Sequence, residues 1–498
     1  MPFGPPSRSP PLGPIPDSIS LDRFMFDEKY GRHAIADSRP PFIDGITGRS
    51  YSVTELKDRV ERLARSLTRE LGFHPDRGSE WDKVVACFSL NSIDYMCLAW
   101  AVHRLGGILS CVNAAYSAEE VEFQVKNSRS KAIFTCAPLL DTCNRGIANL
   151  SIPQKNVFLM SLPGAAASGT TGSAHKTIDE LISAGASLPA QPASDESWSA
   201  GEGARRCAFL SYSSGTSGLP KGVKISHSNV IANTLQLNAH EKRTRDTKAK
   251  RAGQQSYTQN VLGLLPMSHI YGLVVACHSG PFSGDGVVVL PKYDFKRLLQ
   301  TVQDQRVSML YLVPPMIIHM TKAPDTLKQY DLSAVDTCFT GAAPLGKETA
   351  DDLARMYPTW TIRQGYGLTE TATVVCSTVP DDVWFGSSGS LLPGITARLM
   401  APDGKEITSY NTPGELCVKS PTVVLGYLDN EAANRETFVQ LADGRYMRTG
   451  DEAVVARSPQ GHEHIFITDR IKELIKVKGH QVAPAELEAH LLTPPAVN

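Results

Sequence analysis

Short apolar runs alternate with longer amphipathic segments along much of this chain. Residues 52–71 (SVTELKDRVERLARSLTREL) carry apolar side chains every three or four positions, which predicts an amphipathic helix. Residues 83–88 (KVVACF) and 107–112 predict short buried strands, and residues 92–106 predict a helix between them. This alternation is typical of an α/β domain built on a parallel sheet.

The same pattern continues through the middle of the chain and then changes. Further helices are predicted at 118–127 and 226–239, and further strands at 132–135, 157–160, 261–265, 287–290, 309–313 and 337–340. Residues 240–255 (HEKRTRDTKAKRAGQQ) are basic and poor in apolar side chains, which predicts a solvated loop. Short strands with tight turns then indicate a compact β module, at 414–420, 423–427 and 446–449.

Length, charge and cysteine usage narrow the class of protein. The chain has 498 residues, enough for two or more domains or subdomains. Its 50 basic and 51 acidic residues leave no charge excess that would favour nucleic acid as a partner. The ten cysteines lack metal-site spacing and predict reduced, buried thiols. The proline-rich arm does not resemble a signal peptide, and no apolar run reads as a membrane span, so a soluble intracellular protein is expected.

The densest chemical signal is YSSGTSGLPKGV, at residues 212–223. Glycines let backbone N–H groups approach an anion, hydroxyl groups donate further hydrogen bonds, and Lys221 adds a positive charge. The Walker pattern does not fit, because Pro220 precedes this lysine and Gly222 follows it. We interpret the stretch as a phosphate-binding loop. The alternative, a flexible serine/glycine linker, is disfavoured by the strand-like residues on either side.

Two segments after predicted strands have the composition of ligand-binding turns. PMSHIYG places His269 and Tyr271 after the strand at 261–265, where ligands of α/β sheets usually bind, although a lone histidine is more often structural. Residues 341–345 (GAAPL) form a turn of small side chains against which a flat ring could lie.

Two carboxylates complete the candidate chemistry. In residues 364–370 (QGYGLTE), a glycine-lined turn would offer Glu370 to a metal and Thr369 to a phosphoryl oxygen. The competing interpretation is a helix cap with a solvated carboxylate. Asp451 follows Thr449 and Gly450 at a predicted turn, where it could accept both hydroxyls of a ribose or form a simple Asx turn.

Seven motifs, in this order, resemble the adenylate-forming superfamily, and its 4-coumarate:CoA ligase and acyl-CoA ligase branch most closely. They are YSSGTSGLPKGV, LPMSHIYGL, TGAAPLG, QGYGLTE, GELCVKSP, RTGD and DRIKELIKVKGHQVAPAELE. The resemblance implies an α/β fold: after a proline-rich arm (1–20), a large N-terminal domain (21–468) of two α/β subdomains plus a distorted β barrel. A hinge near Lys472 and a small, truncated α+β C-terminal domain (469–498) would follow. It also implies that a carboxylic acid attacks the α-phosphorus of ATP to give an acyl-adenylate, from which coenzyme A displaces AMP.

The resemblance further implies roles for individual residues. The β- and γ-phosphates of ATP would be held by Ser213, Ser214, Gly215, Thr216, Ser217, Gly218 and Lys221. Mg²⁺ would be coordinated by Glu370 and Thr216, and the α-phosphate would contact Thr369. The adenine and the inner end of the acyl pocket would be framed by Gly341, Ala342, Ala343, Gln364, Gly365 and Tyr366. The ribose would be bound by Asp451 and Arg470, and the carboxylate substrate would be bordered by His269 and Tyr271. Catalysis and coenzyme A contact would involve Lys476, Lys478, Gly479 and Gln481.

The expected activity is ATP-dependent ligation of an acid to coenzyme A. Family members continue with a PKTPSGK-like segment whose lysine reaches the α-phosphate, whereas this chain ends at LLTPPAVN. One alternative is therefore a nucleotide- and acid-binding protein of impaired catalysis, and another is an adenylation enzyme that loads a carrier protein. The expected substrate is an aromatic acid or an aliphatic acid of moderate length. A cytoplasmic location is expected; the terminal AVN is not a peroxisomal signal, and a peroxisomal location stays open.

Overall fold

The computed structural model describes residues 2–163, 175–213 and 220–471, and the backbone of residues 475–477 and 480–482. Its α-helices are α1 (Leu21–Phe26), α2 (Val53–Leu71), α3 (Tyr95–Arg104), α4 (Ala118–Asn127), α5 (Leu140–Ile147), α6 (Ile178–Gly185), α7 (Glu202–Arg205), α8 (His227–Arg251), α9 (Gly280–Phe282), α10 (Phe295–Asp304), α11 (Pro314–Lys322), α12 (Pro324–Leu327), α13 (Lys347–Met356) and α14 (Glu431–Thr437). A π-helix spans Tyr271–Ser279 and runs directly into α9.

The strands follow the predicted alternation closely. In chain order they are β1 (Phe42–Asp44), β2 (Val84–Phe88), β3 (Ile108–Val112), β4 (Ala132–Thr135), β5 (Val157–Leu159), β6 (Cys207–Ser213), β7 (Lys221–Ser226), β8 (Asn260–Gly263), β9 (Gly286–Val289), β10 (Met309–Leu312), β11 (Thr337–Thr340), β12 (Thr361–Leu368), β13 (Thr373–Ser377), β14 (Ser390–Leu391), β15 (Thr396–Met400), β16 (Glu406–Ile407), β17 (Gly414–Lys419), β18 (Gly426–Tyr427), β19 (Phe438–Leu441), β20 (Gly444–Arg457), β21 (Glu463–Arg470), β22 (Ile475–Val477) and β23 (His480–Val482).

These strands form three large sheets. The first sheet has the order β18-β7-β6-β3-β2-β4-β5 and is parallel from β6 to β5, with β7 and β18 added antiparallel. The second sheet has the order β1-β9-β8-β10-β11-β12-β13-β14 and is parallel from β1 to β12. The third sheet is antiparallel, with the order β16-β15-β17-β20-β19 and β21 paired to β20. The predicted α/β class is confirmed.

The central strands of the two parallel sheets are covered on both faces. All five residues of β2 and all four of β9 are buried, which explains why these strands read as continuous apolar runs rather than alternating ones. The ten cysteines lie in the described residues, and all are buried and unbridged, as predicted. Burial raises the pKa of Cys111 and Cys338 to about 12, so these thiols stay protonated near neutral pH.

The proline-rich arm packs on the third sheet. The backbone N–H of Phe3 donates to the carbonyl of Ala397 at 2.9 Å, and the guanidinium of Arg8 lies 3.0 Å from the carboxylate of Asp382. The domain limits suggested for residues 1–20, 21–468 and 469–498 stay a prediction. Within the described residues, no helix has both the length and the apolar character needed to cross a bilayer.

Helix α8 continues through the basic segment for which a loop was predicted. It extends from His227 to Arg251, so the prediction was wrong for most of residues 240–255. Three of its charged side chains lie three or four residues apart and therefore share one face of the helix. These side chains, Glu241, Arg245 and Lys248, form ion pairs at 2.5–2.9 Å with Arg363, Asp285 and Asp336 respectively. The helix is thus stabilised by partners that are remote in sequence, which a local charge pattern does not reveal.

Three buried histidines lie where the first sheet meets the π-helix. His103 donates from Nε2 to the carbonyl of Ala208 at 3.0 Å, and Nδ1 of His227 accepts from the backbone N–H of Leu21 at 3.1 Å. Nε2 of His278 accepts from the indole N–H of Trp100 at 3.3 Å. Burial lowers the pKa of His103 to about 3 and of His278 to about 4, and lowers the pKa of His227 well below its usual value. All three rings are therefore neutral in the folded protein.

Because these three histidines are buried and neutral, we predict that the folded protein loses stability in mild acid. The unfolded chain binds protons at histidine below about pH 6.5, whereas the folded chain does not, so stability should fall as the pH decreases from about 7 to about 5. His227→Asn keeps an acceptor for the Leu21 N–H but removes one titrating group. Its urea midpoint should depend less steeply on pH than that of the wild type.

The matched control for this prediction is His74→Asn, at a half-buried loop position. It should retain the pH dependence of the wild type. Parallel curves for the wild type and His227→Asn would show that this histidine does not couple stability to pH.

Candidate active site

Strand β12 and the turn that follows it carry five of the predicted site residues: Gln364, Gly365, Tyr366, Thr369 and Glu370. It is the last strand of the parallel part of the second sheet, and it pairs with β11 on one side and with antiparallel β13 on the other. Residues 364–368 are extended, so the prediction of a turn was wrong for this part of the motif. Thr369 and Glu370 follow in a single 3₁₀ turn, Thr369–Thr371. Glu370 therefore lies just after the end of β12, at the carboxyl edge of the sheet, where ligands of α/β proteins bind.

Gly365 is required for close packing rather than for a turn. A Cβ atom at this position would lie 2.7 Å from Cζ of Phe339, on the neighbouring strand β11. That distance is well inside van der Waals contact, so no larger residue fits without moving the ring. The glycine that the motif places here lets an aromatic side chain fill the space beneath the strand.

The carboxylate of Glu370 is buried and accepts two hydroxyl groups. Oγ of Ser213 donates to Oε1 at 3.1 Å, and Oη of Tyr427 donates to the same oxygen at 2.9 Å. The side chain of Lys221 is close by, with Nζ 5.2 Å from the centre of the Tyr427 ring. Ser213 and Lys221 are partners in the β6–β7 pairing, at the two ends of the glycine-rich loop. The loop and Glu370 therefore converge on one point.

Burial, together with the charge of Glu370, raises the pKa of Tyr427 well above its usual value. The phenol therefore stays protonated and remains a hydrogen-bond donor throughout the physiological pH range. The hydroxyl groups of Ser213 and Tyr427 both donate to Oε1 of the Glu370 carboxylate. The arrangement orients Glu370 so that Oε2 can serve a further ligand.

A second buried carboxylate, that of Asp451, contacts β12 through Tyr366. Tyr366 donates from Oη to Oδ2 of Asp451 at 2.5 Å, and Nε of Arg470 donates to Oδ1 at 3.2 Å. Asp451 lies within strand β20 and pairs with Arg470 on β21, so the predicted turn at this aspartate was wrong. Burial and the nearby carboxylate raise the pKa of Tyr366, which keeps this phenol a donor as well.

The small-residue turn after β11 adjoins both β12 and the π-helix. A Cβ on Gly341 would lie 3.4 Å from the carbonyl oxygen of Gly365 and 3.4 Å from Cε1 of Tyr271. Ala342 has a φ of 69°, a left-handed conformation that is costly for a residue with a side chain and that is often retained at functional sites. Oε1 of Gln364 accepts from the N–H of Leu345 at 3.2 Å and holds the turn against the strand.

His269 and Tyr271 of the SHIYG motif lie near the small-residue turn. Nδ1 of His269 accepts from the backbone N–H of Tyr271 at 3.2 Å, at the start of the π-helix, while the imidazole remains exposed. Oη of Tyr271 donates to the carbonyl of Phe339 at 3.2 Å, so its buried ring lies directly beside Gly341. The residues predicted to border the carboxylate substrate are thus adjacent to the turn predicted to border the adenine.

The AMP-binding enzyme family matches residues 29–428 of this chain, which include the glycine-rich loop, β12 and Tyr427. This chain is an AMP-binding enzyme. The predicted membership of the adenylate-forming superfamily is therefore confirmed.

Relatives of this AMP-binding enzyme are named acyl-CoA ligases. It is 39% identical over 484 residues to the acyl-CoA ligase easD of Emericella nidulans, a match that covers 97% of this chain and 83% of the relative. It is 38% identical over 507 residues to the acyl-CoA ligase cm3C of Cordyceps militaris, covering 98% of this chain and 77% of the relative. The chain belongs to the acyl-CoA ligase branch, as predicted.

Solved structures share the fold at lower identity. The anthranilate CoA ligase AuaEII in complex with anthranoyl-AMP superposes with a TM-score of 0.75 at 20% identity, covering 97% of this chain and 84% of that one. ATP-bound MatB from Rhodopseudomonas palustris gives a TM-score of 0.73 at 23% identity, covering 96% and 84% of the two chains. These comparisons establish the architecture of the AMP-binding enzyme.

Most of the predicted site residues whose side chains the structure describes lie close together in space. Two clusters share β12: one contains Ser213, Lys221 and Glu370, and the other contains Tyr366, Asp451 and Arg470. Thr369 is half-buried between them along the chain. The remaining residues adjoin the small-residue turn, where Ala342 and Ala343 are exposed. Their individual roles in binding stay a prediction.

Several predicted residues of the AMP-binding enzyme fall outside the described residues. These are Ser214, Gly215, Thr216, Ser217, Gly218, Lys472, Lys478 and Gly479. Only the backbone of Lys476 and Gln481 is described, and these two positions pair across the β22–β23 hairpin. Among the residues that the structure does describe, no three His, Cys, Asp or Glu side chains converge on a metal-binding cluster.

Two residues of the site were missed by sequence reasoning. Tyr427 lies 57 positions from Glu370, in a stretch whose apolar residues indicated only a strand. Phe339 is a buried strand residue whose ring fills the space under Gly365. The only signal in the sequence was that each residue lies in or beside a motif. A motif does not show which residue the aromatic side chain contacts.

The hydrogen bond from Tyr427 generates a prediction for this AMP-binding enzyme. Tyr427→Phe removes one donor to a buried carboxylate, and such a bond contributes about 1.5–3 kcal/mol. We expect kcat/KM for ATP to fall by about tenfold or more, and the Mg²⁺ concentration needed for half-maximal rate to rise.

Tyr410→Phe provides the matched control, because Tyr410 donates to Oε1 of Glu463 at 2.6 Å in the third sheet, away from β12. The control should retain the wild-type kinetics. Equal kinetic effects of the two substitutions would rule out a special role for Tyr427.

Proposed function

We propose that this acyl-CoA ligase activates an aromatic acid or an aliphatic acid of moderate length as its acyl-adenylate and transfers the acyl group to coenzyme A. The proposal is supported by one observation above all: a single strand, β12, joins the Glu370 cluster to the Tyr366–Asp451 pair. The first cluster suits the phosphates of ATP and the second suits its ribose. The relatives named acyl-CoA ligases support coenzyme A as the acceptor.

The nucleotide would lie along β12. Lys221, next to the glycine-rich loop, would offset the negative charge of the β- and γ-phosphates. Thr369, between the two clusters in the chain, would donate its hydroxyl group to the α-phosphate. Asp451 would accept the ribose hydroxyls, with Arg470 holding the second carboxylate oxygen. Gln364, Gly365 and the turn at Gly341 would border the adenine.

The Glu370 cluster fits a magnesium ion. Mg²⁺ favours oxygen ligands and is usually bound through one or two carboxylates plus waters and substrate phosphates, rather than by an all-protein cage. A single buried carboxylate beside a hydroxyl-rich loop matches this pattern, with Thr216 as the second proposed protein ligand. The ion would neutralise phosphate charge as pyrophosphate leaves.

The chemistry of the first step requires charge compensation. A carboxylate and a triphosphate are both anions, so they approach each other only where cations and hydrogen-bond donors already occupy the site. Lys221 and the hydroxyl group of Thr369 supply such groups on the ATP side, and His269 would border the acid on the other. In the second step, the thiol of coenzyme A displaces AMP, and we propose that Lys476, Lys478, Gly479 and Gln481 contribute to that stage.

A direct assay tests the proposal. Incubation with ATP, Mg²⁺ and a panel of carboxylic acids should release pyrophosphate, and addition of coenzyme A should yield the thioester. Glu370→Gln should lower the rate by about a hundredfold or more, because a preorganised charge at the reacting phosphates is lost. Glu463→Gln alters a carboxylate that also accepts a tyrosine hydroxyl, and should leave the rate unchanged.

The same assay separates the alternatives. ATP binding without pyrophosphate release for any acid would favour a nucleotide-binding protein. Pyrophosphate release without a coenzyme A thioester would favour a carrier-protein acceptor. A wild-type rate in Glu370→Gln would remove this carboxylate from the site.

Asp451 gives an independent test on the ribose side. Asp451→Asn keeps the size of the side chain but weakens its acceptor capacity towards two hydroxyl groups, so the Kd for ATP measured by calorimetry should rise by about tenfold. Asp443→Asn is the control, because Asp443 also accepts from a tyrosine, Tyr446, at 2.8 Å. An unchanged Kd in Asp451→Asn would place the ribose elsewhere.

A further inference from the structure

A cavity of about 50 Å³ lies between the second sheet and helix α8, next to the aromatic residues of the site. Its floor includes Tyr311, Phe339 and Arg363, which are side by side because β10, β11 and β12 pair in that register. Gly365 is the next position on the same face of β12, since alternate strand residues share a face. The ring of Phe339 thus separates the glycines of the site from the cavity.

The floor continues away from the site with smaller side chains. Met309 and Thr337 are paired one step back along β10 and β11, and both line the cavity. From Gly341 to Thr337 is four residues, which at ≈3.3 Å per strand residue is about 13 Å. Along this face, small, aromatic and again smaller side chains follow one another, so the rings lie between Gly341 and the cavity.

Three rings form this closure. The centroids of Tyr271, Tyr311 and Phe339 are 6.0–6.3 Å apart in edge-to-face contacts. Packing holds the three rings in place, together with one hydrogen bond from the hydroxyl group of Tyr271 to the backbone carbonyl of Phe339. A narrow chain would reach the cavity only after these side chains rotate to other staggered rotamers.

The roof of the cavity is formed by α8 and the π-helix. Leu237 and Val275 contribute apolar surface near the rings, while Thr244 and Ser279 contribute hydroxyl-bearing side chains. The charged side chains of α8 also line the cavity, and their ion pairs connect this helix to the second sheet. The cavity is therefore apolar on one side and polar on the other.

The charges around the cavity are already compensated. Arg363 makes two contacts with the carboxylate of Glu241, at 3.0 and 2.5 Å, and Arg245 makes two with that of Asp285, at 2.9 and 2.8 Å. Lys248 lies 2.8 Å from Asp336. A second carboxylate on a substrate would have to displace one of these acids, and separating a buried ion pair is costly. A neutral hydroxyl or carbonyl group needs only a hydrogen bond.

We propose that this cavity receives the distal end of the acyl chain, and that the preferred substrate is an aliphatic acid with a neutral polar group near that end. The inference rests on the proposed function, because it assumes that the carboxylate is activated beside Gly341. An extended alkyl chain advances about 1.25 Å per bond, given a bond length of ≈1.5 Å, so a path of about 13 Å suits about ten carbons. An aromatic acid would stop at the rings.

The test compares four acids by kcat/KM for acid-dependent pyrophosphate release: decanoic, 10-hydroxydecanoic, decanedioic and cinnamic acid. We expect 10-hydroxydecanoic acid to exceed decanoic acid by about fivefold, the value of one net hydrogen bond, and decanedioic acid to be the poorest of the aliphatic acids. Thr244→Val removes a lining hydroxyl at constant size and should reduce the ratio of the first two towards one.

Two further variants complete the design. Thr247→Val changes an exposed threonine on the same helix and should keep the wild-type ratio. Thr244→Met fills the cavity from a half-buried position and should shift the preferred chain length towards octanoic acid. Circular dichroism and thermal unfolding verify that each variant folds.

The outcomes separate this inference from the proposed function. If the wild type releases pyrophosphate but prefers cinnamic or unsubstituted decanoic acid, or if both Thr244 variants retain the wild-type preference, the inference is wrong and the ligase assignment stands. If no acid in either panel supports pyrophosphate release, the proposed function fails and the inference falls with it.

Discussion

The carboxylate of Glu370 joins the two parallel sheets at the candidate active site. It is carried at the end of β12 in the second sheet, and it accepts from Ser213 on β6 and Tyr427 on β18, both in the first sheet. The carbonyl of the same residue accepts from the N–H of Val424 at 3.1 Å. Moving one sheet against the other would leave a buried carboxylate without its donors, which costs more than the hydrogen bonds contribute when formed.

The contacts of Glu370 also explain how the residues proposed to bind the phosphates are positioned. β18 extends the first sheet by pairing with β7, the strand that begins at Lys221. Tyr427 therefore contacts the glutamate through its hydroxyl group and the lysine side chain through its ring. Protein contacts hold a cation, a carboxylate and two hydroxyl groups together, and catalysis by charge stabilisation requires groups that are fixed in this way.

Helix α8 is held in two different ways along its length. Its first half packs through buried apolar side chains such as Val230, Ile231 and Leu237. Its second half is held by three ion pairs to the second sheet, whose long side chains span the space instead of filling it. Apolar packing would close this space, since protein interiors approach crystal density. The ionic face therefore both stabilises the helix and keeps a polar cavity beneath it.

The sequence by itself determined the architecture and proposed most of the candidate site residues. Continuous apolar runs indicated parallel strands buried on both faces, and their alternation with helices indicated two α/β units followed by a β module. The motifs located Lys221, Glu370 and Asp451, because unusual combinations of glycine, hydroxyl and charged residues are visible locally.

Only the tertiary structure decided which of these residues meet. Ser213 and Glu370 are 157 positions apart, and no local pattern specifies such a pair. The basic segment after Ala239 is helical because its charges find remote partners, and residues 364–368 are extended because β11 and β13 flank them. Local patterns report the preference of a segment for an exposed or buried face. The choice of partner depends on strand order and register, which are set by the packing of the whole chain.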